Sequence, residues 1–473
     1  MMATVSLPIF GGSHQSRSPL LSSARAVNCY YVPAQAVGLS DGFLIGTEGI
    51  SQVATAGNFN FIGRGSHNKG GIPYFVQGEK LVRLNADMTL TILGDIPGDG
   101  RVSMADNGTQ LMILNELGDG YIWDDATLQQ ITNPNFTANG TPKKVVYKDG
   151  YFICNTDEKK YIKSDIDDGM AWAALDFARA DSDPDDIVSP LSFKGLLYLF
   201  GAITTEAAQN VGGAGFPFSK VQGLIINKGL ALPYCIVATS DYMVWVGQGV
   251  NETPAVWVSS GSDVQKISTD AEDTIIREQL LLDGAINSFA FQYSLDGAYF
   301  AGFSFPSKTL VYDFVSKKWH ERESKDVNNL PLRWRVNSIV QAYGNIYVGD
   351  SEDGRIGLLS PDTYQEYGAS INTYWVTQPF VNQNKPIFCP SLEVVCEAGV
   401  GDTSGSDPQI GMARSQDGRV FTDTRVRSLG KIGQTKRRTI FRRNGRVDRF
   451  EIFKFSCSDN CKKVFISLTA DIR

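Results

Sequence analysis

The sequence predicts an all-β fold: a β-propeller of six or seven irregular blades, an additional C-terminal β-domain and an extended N-terminal arm. Two observations predict it. Short apolar runs alternate with Gly- or Asn-containing turns along most of the chain, and pieces of this pattern recur. Gly makes up 47 of the 473 residues, above the usual share of about 7%. Asp-Gly between two apolar runs is a strong hairpin signal, because it tolerates the positive φ of a primed turn.

The recurring pieces have the pattern of the outer hairpins of propeller blades. Residues 121–131 and 310–322 both run from a strand through an aromatic residue and Asp into a polar loop and a second strand, and residues 354–368 are a looser copy. Their spacing of some tens of residues suits a propeller repeat. A pair of β-sandwiches is the alternative architecture.

Changes of composition along the chain predict three parts. Residues 1–45 are rich in Ser, Pro and Gly and predict an extended arm that packs on another part. Residues 46–378 hold the propeller with loop insertions, and residues 379–473 form a basic β-domain. Four longer strands are predicted in this last part, at 391–400, 408–421, 446–457 and 463–472.

Two segments depart from the strand pattern. Residues 271–281 predict a helix, because Ser268, Thr269 and Asp270 offer side chains for an N-cap. Residues 202–223 are rich in Gly and small side chains and predict a long mobile loop.

The amino-acid composition limits the classes to which the protein can belong. With 42% hydrophobic and 20% charged residues, the chain resembles a soluble globular protein with ample core-forming material. Its seven cysteines are scattered and odd in number, so we expect free thiols rather than a disulfide framework. No signal peptide or apolar run of membrane-spanning length is recognisable, so we expect no stable membrane insertion.

Charge is unevenly distributed. The net charge is −7, yet residues 412–473 hold 16 Lys and Arg against 6 Asp and Glu, an excess of +10 that leaves −17 for the rest. The overall acidity argues against a general nucleic-acid coat, and the asymmetry indicates a special partner for the basic part. The alternative is that oppositely charged surfaces of two subunits meet in an oligomer.

The sharpest feature is the basic stretch 436–449, KRRTIFRRNGRVDR. Ile440, Phe441 and Val447 alternate with arginines, which predicts strands that bury one face, with a turn at Asn444-Gly445. The exposed guanidinium groups could bind phosphates or an acidic face of a neighbouring subunit, and both interpretations stay open. The candidate binding residues are Lys436, Arg437, Arg438, Arg442, Arg443, Arg446 and Arg449.

Signatures of nucleophilic catalysis are lacking. Hydrolysis by Ser or Cys needs a His base that a carboxylate holds in place, and the histidines are His14, His67 and His320. Ser66 precedes His67 in what looks like a Gly-rich turn, and neighbours in sequence rarely face each other.

Metal and glycan motifs fail as well. Cys457 and Cys461 lack a second matching pair for zinc. Residues 181–186, DSDPDD, resemble a calcium loop, but Asp186 and Ser192 stand where an EF-hand has Gly and Glu. The Ser-x-Asp-Gly hairpin at 415–418 occurs once, whereas sialidase-like propellers repeat it. We predict a protein that is not an enzyme and uses no metal and no cofactor.

Several segments, in the same order along the chain, resemble the packaged-DNA stabilisation proteins, or tail hub (nozzle) proteins, of short-tailed bacteriophages. Residues 441–455 match an aromatic-Arg-Arg-x-Gly-Arg ending, and 319–322, WHER, also looks familiar. Thr47-Glu48-Gly49 stands where many relatives have Pro-Gly, and Asn28-Cys29-Tyr30 is a looser match. The other matching segments are 98–108, 200–206, 309–322, 347–359 and 415–418.

The resemblance implies a structural tail hub that forms a homohexameric ring below the portal and head–tail adaptor. The ring would be assembled in the host cytoplasm, sit in the virion tail and extend the DNA channel. It would retain packaged double-stranded DNA, dock the tail needle and the tail spikes or fibres, and open for DNA ejection on receptor engagement.

Rival hypotheses remain at this point. One is a receptor- or glycan-binding tail protein on a β-propeller. Another is a propeller glycoside hydrolase, which needs two facing carboxylates about 5–10 Å apart. A third is a scaffold protein with no viral role.

Overall fold

The computed structural model describes residues 3–7, 9, 12–36, 38–55, 62–180, 185–212, 215–381, 385–401 and 405–473. Strands account for 54% of the chain and helices for 4%, so the predicted all-β class is confirmed. The described residues contain no helix with the length and apolar character needed to cross a membrane.

Seven antiparallel four-stranded blades form the propeller within the described residues, five as separate sheets and two as parts of larger sheets. Of the six or seven blades predicted, seven are present. Inner strands of successive blades pack around a central channel. The strands of each blade are given in order from the channel outwards. Blade 1 comprises Gly63–Lys69, Ile72–Gln77, Lys80–Leu84 and Leu90–Asp95, and blade 2 comprises Ser103–Asp106, Leu111–Leu114, Gly120–Trp123 and Leu128–Gln130. Blade 3 comprises Pro142–Lys148, Tyr151–Thr156, Lys160–Asp165 and Asp168–Arg179, and blade 4 comprises Ile187–Phe193, Leu196–Gly201, Thr205–Asn210 and Phe218–Ile226.

The remaining blades complete the ring, and blade 7 takes its outermost strand from before blade 1. Blade 5 comprises Ile236–Ala238, Met243–Gly247, Ala255–Ser259 and Val264–Lys266; blade 6 Phe289–Leu295, Ala298–Ser304, Thr309–Asp313 and Lys318–Lys325; and blade 7 Val336–Ala342, Asn345–Asp350, Arg355–Ser360 and Gly49–Thr55. Because Gly49–Thr55 pairs antiparallel with Arg355–Ser360, hydrogen bonds between distant parts of the chain close the propeller.

Hairpin turns sit where the sequence predicts them. The turn of the inner hairpin of blade 6 has φ of 50° at Asp296 and 80° at Gly297, as a primed turn requires. The segments 121–131 and 310–322 hold the third and fourth strands of blades 2 and 6, so their interpretation as outer hairpins is confirmed.

One predicted loop is wrong. Residues 202–223 contain the third strand of blade 4, Thr205–Asn210, and the start of its fourth strand, Phe218–Ile226. Ala207 and Ala208 are buried, so the small side chains that suggested a loop instead pack in the blade. Ser66 and His67 likewise lie in the inner strand Gly63–Lys69 of blade 1 and not in a turn.

A β-sandwich of two sheets follows the propeller. Its first sheet runs in the order Cys29–Pro33, Gly42–Gly46, Val464–Ile472, Ser391–Cys396 and Thr439–Arg442, with Ala3–Leu7 also paired to Val464–Ile472. Its second sheet runs in the order Ser23–Val27, Thr373–Val376, Phe450–Cys457, Gln409–Ser415 and Arg425–Ser428. Apolar side chains fill the space between them, with Trp375 stacked on Phe455 at a ring distance of 5.0 Å.

N-terminal strands join the two units. Ser23–Val27 pairs antiparallel with Thr373–Val376 of the sandwich, and its Val27 pairs in parallel with Glu321 of blade 6. The second sheet of the sandwich therefore continues into blade 6. The described strands of the first 45 residues thus pair with strands of both units.

Short elements complete the fold. The predicted helix is confirmed as Asp270–Leu280, and Thr269 caps it in a capping box with Glu272. Two 3-10 turns are Pro134–Phe136 and Ala285–Asn287. The minor strands are His14–Gln15, Pro331–Arg333, Gln365–Glu366, Ala369–Ser370, Phe380–Val381, Ile387–Phe388 and Arg446–Val447.

Candidate functional site

The basic stretch forms an exposed edge of the sandwich. Strands Thr439–Arg442 and Arg446–Val447 bury Phe441 and Val447, which are at most 1% exposed, while Arg442 and Arg446 face solvent. All seven candidate residues predicted from the sequence are exposed. The alternation of apolar and basic residues therefore places the cations on one surface, which we call the basic edge.

A buried asparagine holds the turn of this edge. Asn444 donates from Nδ2 to the Phe441 carbonyl at 3.0 Å, and its Oδ1 accepts from Arg425 Nη2 at 2.5 Å. The Asn444 carbonyl accepts a hydrogen bond from the Arg414 guanidinium. Arg443 has φ of 60°, a conformation that a non-Gly residue adopts only with such support. The turn is thus fixed by arginines of the opposite sheet.

Two further arginines belong to the basic edge and were missed in the sequence. Arg425 donates to the Arg442 carbonyl at 3.0 Å, and Arg427 donates to the Ile440 carbonyl at 3.1 Å. Their two-residue spacing on one strand could have indicated a shared face, but only the sandwich brings that strand beside Thr439–Arg442. We include both in the basic edge.

Most of the predicted cations have no anionic partner in the part of the chain that the structure describes. Arg438 forms a two-pronged pair with Glu393 at 2.8 and 2.5 Å, and Arg446 pairs with Asp448 at 2.6 Å. Among the described residues, no ion pair is formed by the side chains of Lys436, Arg437, Arg442, Arg443 and Arg449. Five exposed positive charges are therefore free to meet a partner.

Acidic side chains lie beside part of the basic edge. A groove on the outer face of the first sheet is lined by Arg438 and Arg442 together with Glu393 and Asp471. Asp471 accepts from Thr4 Oγ1 at 2.8 Å, so the N-terminal strand also contributes to this face. This part of the surface carries both signs of charge.

The WHER segment (residues 319–322) fastens the N-terminal residues to blade 6. Glu321 accepts two hydrogen bonds from Arg25, at 2.8 and 2.6 Å. Arg322 donates to Glu48 at 2.5 Å, and both side chains are at most 2% exposed. The sequence showed this segment as a familiar motif without indicating its role.

His320 of the same segment is an uncharged core residue. Its ring packs against Tyr30 and Phe300 at 5.8 and 5.3 Å. Burial, with a smaller contribution from neighbouring Arg322, lowers the pKa of His320 to about 3. With so low a pKa, the imidazole is a weak base that is poorly matched to proton transfer near neutral pH.

The remaining candidates for chemistry have structural partners. His67 Nε2 lies 2.7 Å from Asp106 Oδ2, and His14 Nε2 lies 3.2 Å from Asp270 Oδ1. Cys457 and Cys461 are both buried, free thiols. No group of three or more potential metal-ligating side chains occurs in the part of the chain that the structure describes. Residues 181–184 of the calcium-like stretch lie outside the described residues.

Fold and surface together define a propeller–sandwich protein whose distinctive features are its domain joint and its basic edge. Two family models match nearly the whole chain: "Bacteriophage P22 Gp10, beta-propeller" matches residues 5–364, and "Bacteriophage P22 Gp10, beta-sandwich" matches residues 373–473. The chain belongs to this family of phage stabilisation proteins.

A curated relative agrees with the family match. The tail hub protein gp10 of Salmonella phage P22 is 23% identical over 402 residues, which cover 80% of this chain and 81% of the relative. The resemblance seen in the sequence is therefore confirmed. Homology gives the chain a structural role in a phage tail hub, as a component of the virion tail that associates with other head–tail proteins.

Solved structures show more remote likenesses. The WD40 propeller domain of Doa1 is 12% identical with a TM-score of 0.39, covering 66% of this chain and 97% of that one. PorZ of Porphyromonas gingivalis is 10% identical with a TM-score of 0.40, covering 72% of this chain and 44% of that one. At these TM-scores neither likeness bears on function.

Proposed function

We propose that six copies of this chain form the hub ring of a short-tailed phage, below the portal and the head–tail adaptor. The ring extends the DNA channel, keeps it closed before infection, retains the packaged genome and docks the tail needle and the tail spikes or fibres. The observation that carries this proposal is the match of both family models in series, across propeller and sandwich.

The joint between the two units supports a mechanical role. A ring that holds pressurised DNA must not let its parts separate. Here the strand Ser23–Val27 pairs with strands of both the sandwich and blade 6. The ion pairs Arg25–Glu321 and Arg322–Glu48 also connect N-terminal residues with blade 6. Breaking a buried pair on one side costs about 3–5 kcal/mol, so the joint resists stepwise opening.

The basic edge, in this proposal, contacts an acidic face of the neighbouring subunit. Glu393 and Asp471 stand among its arginines and would repel DNA phosphates, whereas a protein partner can present both signs of charge. The chain outside residues 412–473 carries −17 and supplies such a partner face in a second copy. DNA in the channel is the second candidate, favoured by the five unpaired cations.

A non-enzymatic mechanism fits this role. The hub would act by closing and opening a constriction, with no cofactor and no catalytic residue. The competing function is receptor or glycan binding on the propeller. A glycan array probed with the purified chain separates the two, because a hub predicts no sugar-specific binding.

Copy number on phage heads tests the proposal. DNA-filled heads purified without this chain are titrated with fluorescently labelled protein, and bound copies per head are counted. The hub role predicts saturation at six copies, located at one vertex. Binding without saturation, or spread over the head surface, contradicts it. Heads that also lack the adaptor serve as the control and should bind none.

A further inference from the structure

Buried cations collect at one end of the propeller channel. Because all inner strands run in the same direction along the channel, their first residues meet at the same end. Arg101 precedes the inner strand of blade 2. Arg64 lies at the start of the inner strand of blade 1, and Asn337 lies at the start of the inner strand of blade 7. The register shifts after Gly63 and after Val336, so Arg64 and Asn337 are extra residues at β-bulges. Bulges re-aim side chains in this way.

Arg101 is buried and forms no ion pair with a carboxylate among the described residues. It is 8% exposed, its Nη2 donates to the Asn337 carbonyl at 2.9 Å, and its guanidinium lies 3.9 Å from the centre of the Phe289 ring. Its Nε has no hydrogen-bond partner among the described residues. A buried arginine normally pairs with a carboxylate. Arg101 instead leaves its Nε–H donor without a hydrogen bond to the described residues.

Arg333 brings a second positive charge to the same place. The Asn337 Oδ1 atom accepts from Arg333 Nη2 at 3.0 Å and from Arg101 Nη1 at 3.3 Å. One neutral amide oxygen therefore bridges two guanidinium groups. Both arginines line a cavity of about 140 Å³ with Ser288, whose buried hydroxyl also has no hydrogen-bond partner among the described residues.

No carboxylate forms an ion pair with Arg101 among the described residues, whereas Glu352 and Asp350 interact electrostatically with Arg333. Glu116 is bonded to Arg64 at 2.8 Å, and Asp350 is bonded to Arg335 at 2.6 Å. Asp99 also lines the cavity, but it is exposed. The residues that line this space thus include two arginines, one of them with an unpartnered Nε–H, and a serine with an unpartnered hydroxyl among the described residues, and the space is large enough for a small anion.

We propose that this cavity, which we call the channel anion site, binds a tetrahedral oxyanion of the inorganic phosphate type. Arg101 and Arg333 supply charge-assisted hydrogen bonds and Ser288 supplies a hydroxyl donor, which suits an anion with several acceptor oxygens. The anion compensates the buried charges and ties together the starts of inner strands from blades 2, 6 and 7. Phosphate abundant in the host cell would be bound during folding.

Calorimetric titration of the purified full chain with inorganic phosphate tests the site directly. At constant ionic strength, the wild-type protein is expected to bind one phosphate and to show a melting temperature that rises with phosphate but not with chloride. Sulfate should compete, since it has the same shape. Equal melting curves in phosphate and chloride, with no binding heat, overturn the proposal.

Variants locate the binding. Arg101→Met and Arg333→Gln are expected to weaken phosphate binding by at least tenfold and to flatten the response of the melting temperature. Arg17→Gln/Arg277→Gln, at two exposed arginines outside both the cavity and the basic edge, should respond like the wild type. A wild-type response in Arg101→Met, or its loss in this control, contradicts the site. Should Arg101→Met fail to fold, Ser288→Ala, which keeps both charges, is expected to weaken phosphate binding.

Discussion

The Arg322 guanidinium of blade 6 donates a hydrogen bond to Glu48 Oε1 at 2.5 Å, across 274 residues of sequence. The same guanidinium lies 4.0 Å from the centre of the Trp334 ring, and Tyr293 donates its hydroxyl to Glu48 at 2.5 Å. Glu48 directly precedes the strand that closes blade 7. This pair therefore connects closure of the propeller with the joint to the N-terminal arm.

Breaking this pair should destabilise the protein strongly. We expect Arg322→Met to lower the free energy of unfolding by about 3–5 kcal/mol, because Glu48 is left buried and charged. Urea denaturation measures the change. The double variant Glu48→Gln/Arg322→Met should lose clearly less than the sum of the two single losses. Strict additivity would mean that the two side chains do not stabilise each other.

His320 should make the protein sensitive to acid. Its folded-state pKa of about 3 lies below the ordinary value of 6.5, so between these values the unfolded chain binds a proton that the folded chain does not. Stability is therefore lost as pH falls below 6.5. We expect the wild type to lose about 2 kcal/mol more than His320→Phe between pH 7 and pH 5. Parallel profiles for wild type and His320→Phe would refute this account.

Lys144 should have an effect of the same sign at alkaline pH. Its ammonium lies 4.0 Å from the Tyr234 ring centre, and burial, helped by Arg101, lowers its pKa to about 7. Between pH 7 and its ordinary value of 10.5 the unfolded chain binds the extra proton, so stability due to this group rises with pH. From pH 7 to pH 9 the wild type should gain about 1–2 kcal/mol relative to Lys144→Met. If the difference in the free energy of unfolding between wild type and Lys144→Met is the same at pH 7 and pH 9, the ammonium lies in a solvated environment.

Charge reversal in the basic edge should impair assembly more than folding. Arg442 and Arg443 are exposed and without ion-pair partners among the described residues, so Arg442→Glu/Arg443→Glu should change the free energy of unfolding by less than about 1 kcal/mol. Incorporation into tails, measured by quantitative gel analysis of purified particles, should fall at least tenfold. The control Arg17→Glu/Arg277→Glu changes two exposed arginines elsewhere and should be incorporated normally. Normal incorporation of the first variant contradicts an interface at this edge.

Sequence reasoning predicted the features that depend on local chemistry. Turns such as Asp296-Gly297 and the helix cap at Thr269 are decided by a few neighbouring residues, and both were found where the pattern indicates. The prediction of a loop over residues 202–223 was wrong, because burial in blade 4 outweighs the weak strand preference of Gly and Ala.

Contacts between distant segments were not predictable from one sequence. Nothing in the N-terminal 45 residues indicates that Arg25 meets Glu321, or that Ser23–Val27 joins two sheets. Most of the basic edge was visible because seven of its cations fall within residues 436–449, whereas the channel anion site takes residues from separate blades. Composition reveals the first kind of site, and only the closed propeller reveals the second.

Genome retention tests the central claim most directly. DNA-filled heads that lack this chain are mixed with increasing amounts of it, and the fraction of the genome protected from nuclease is followed over time. The hub role predicts that protection rises and levels off near six copies per head, and that Arg442→Glu/Arg443→Glu fails to restore it. Equal loss of DNA with and without the chain would contradict the sealing role and favour a receptor-binding function for the propeller.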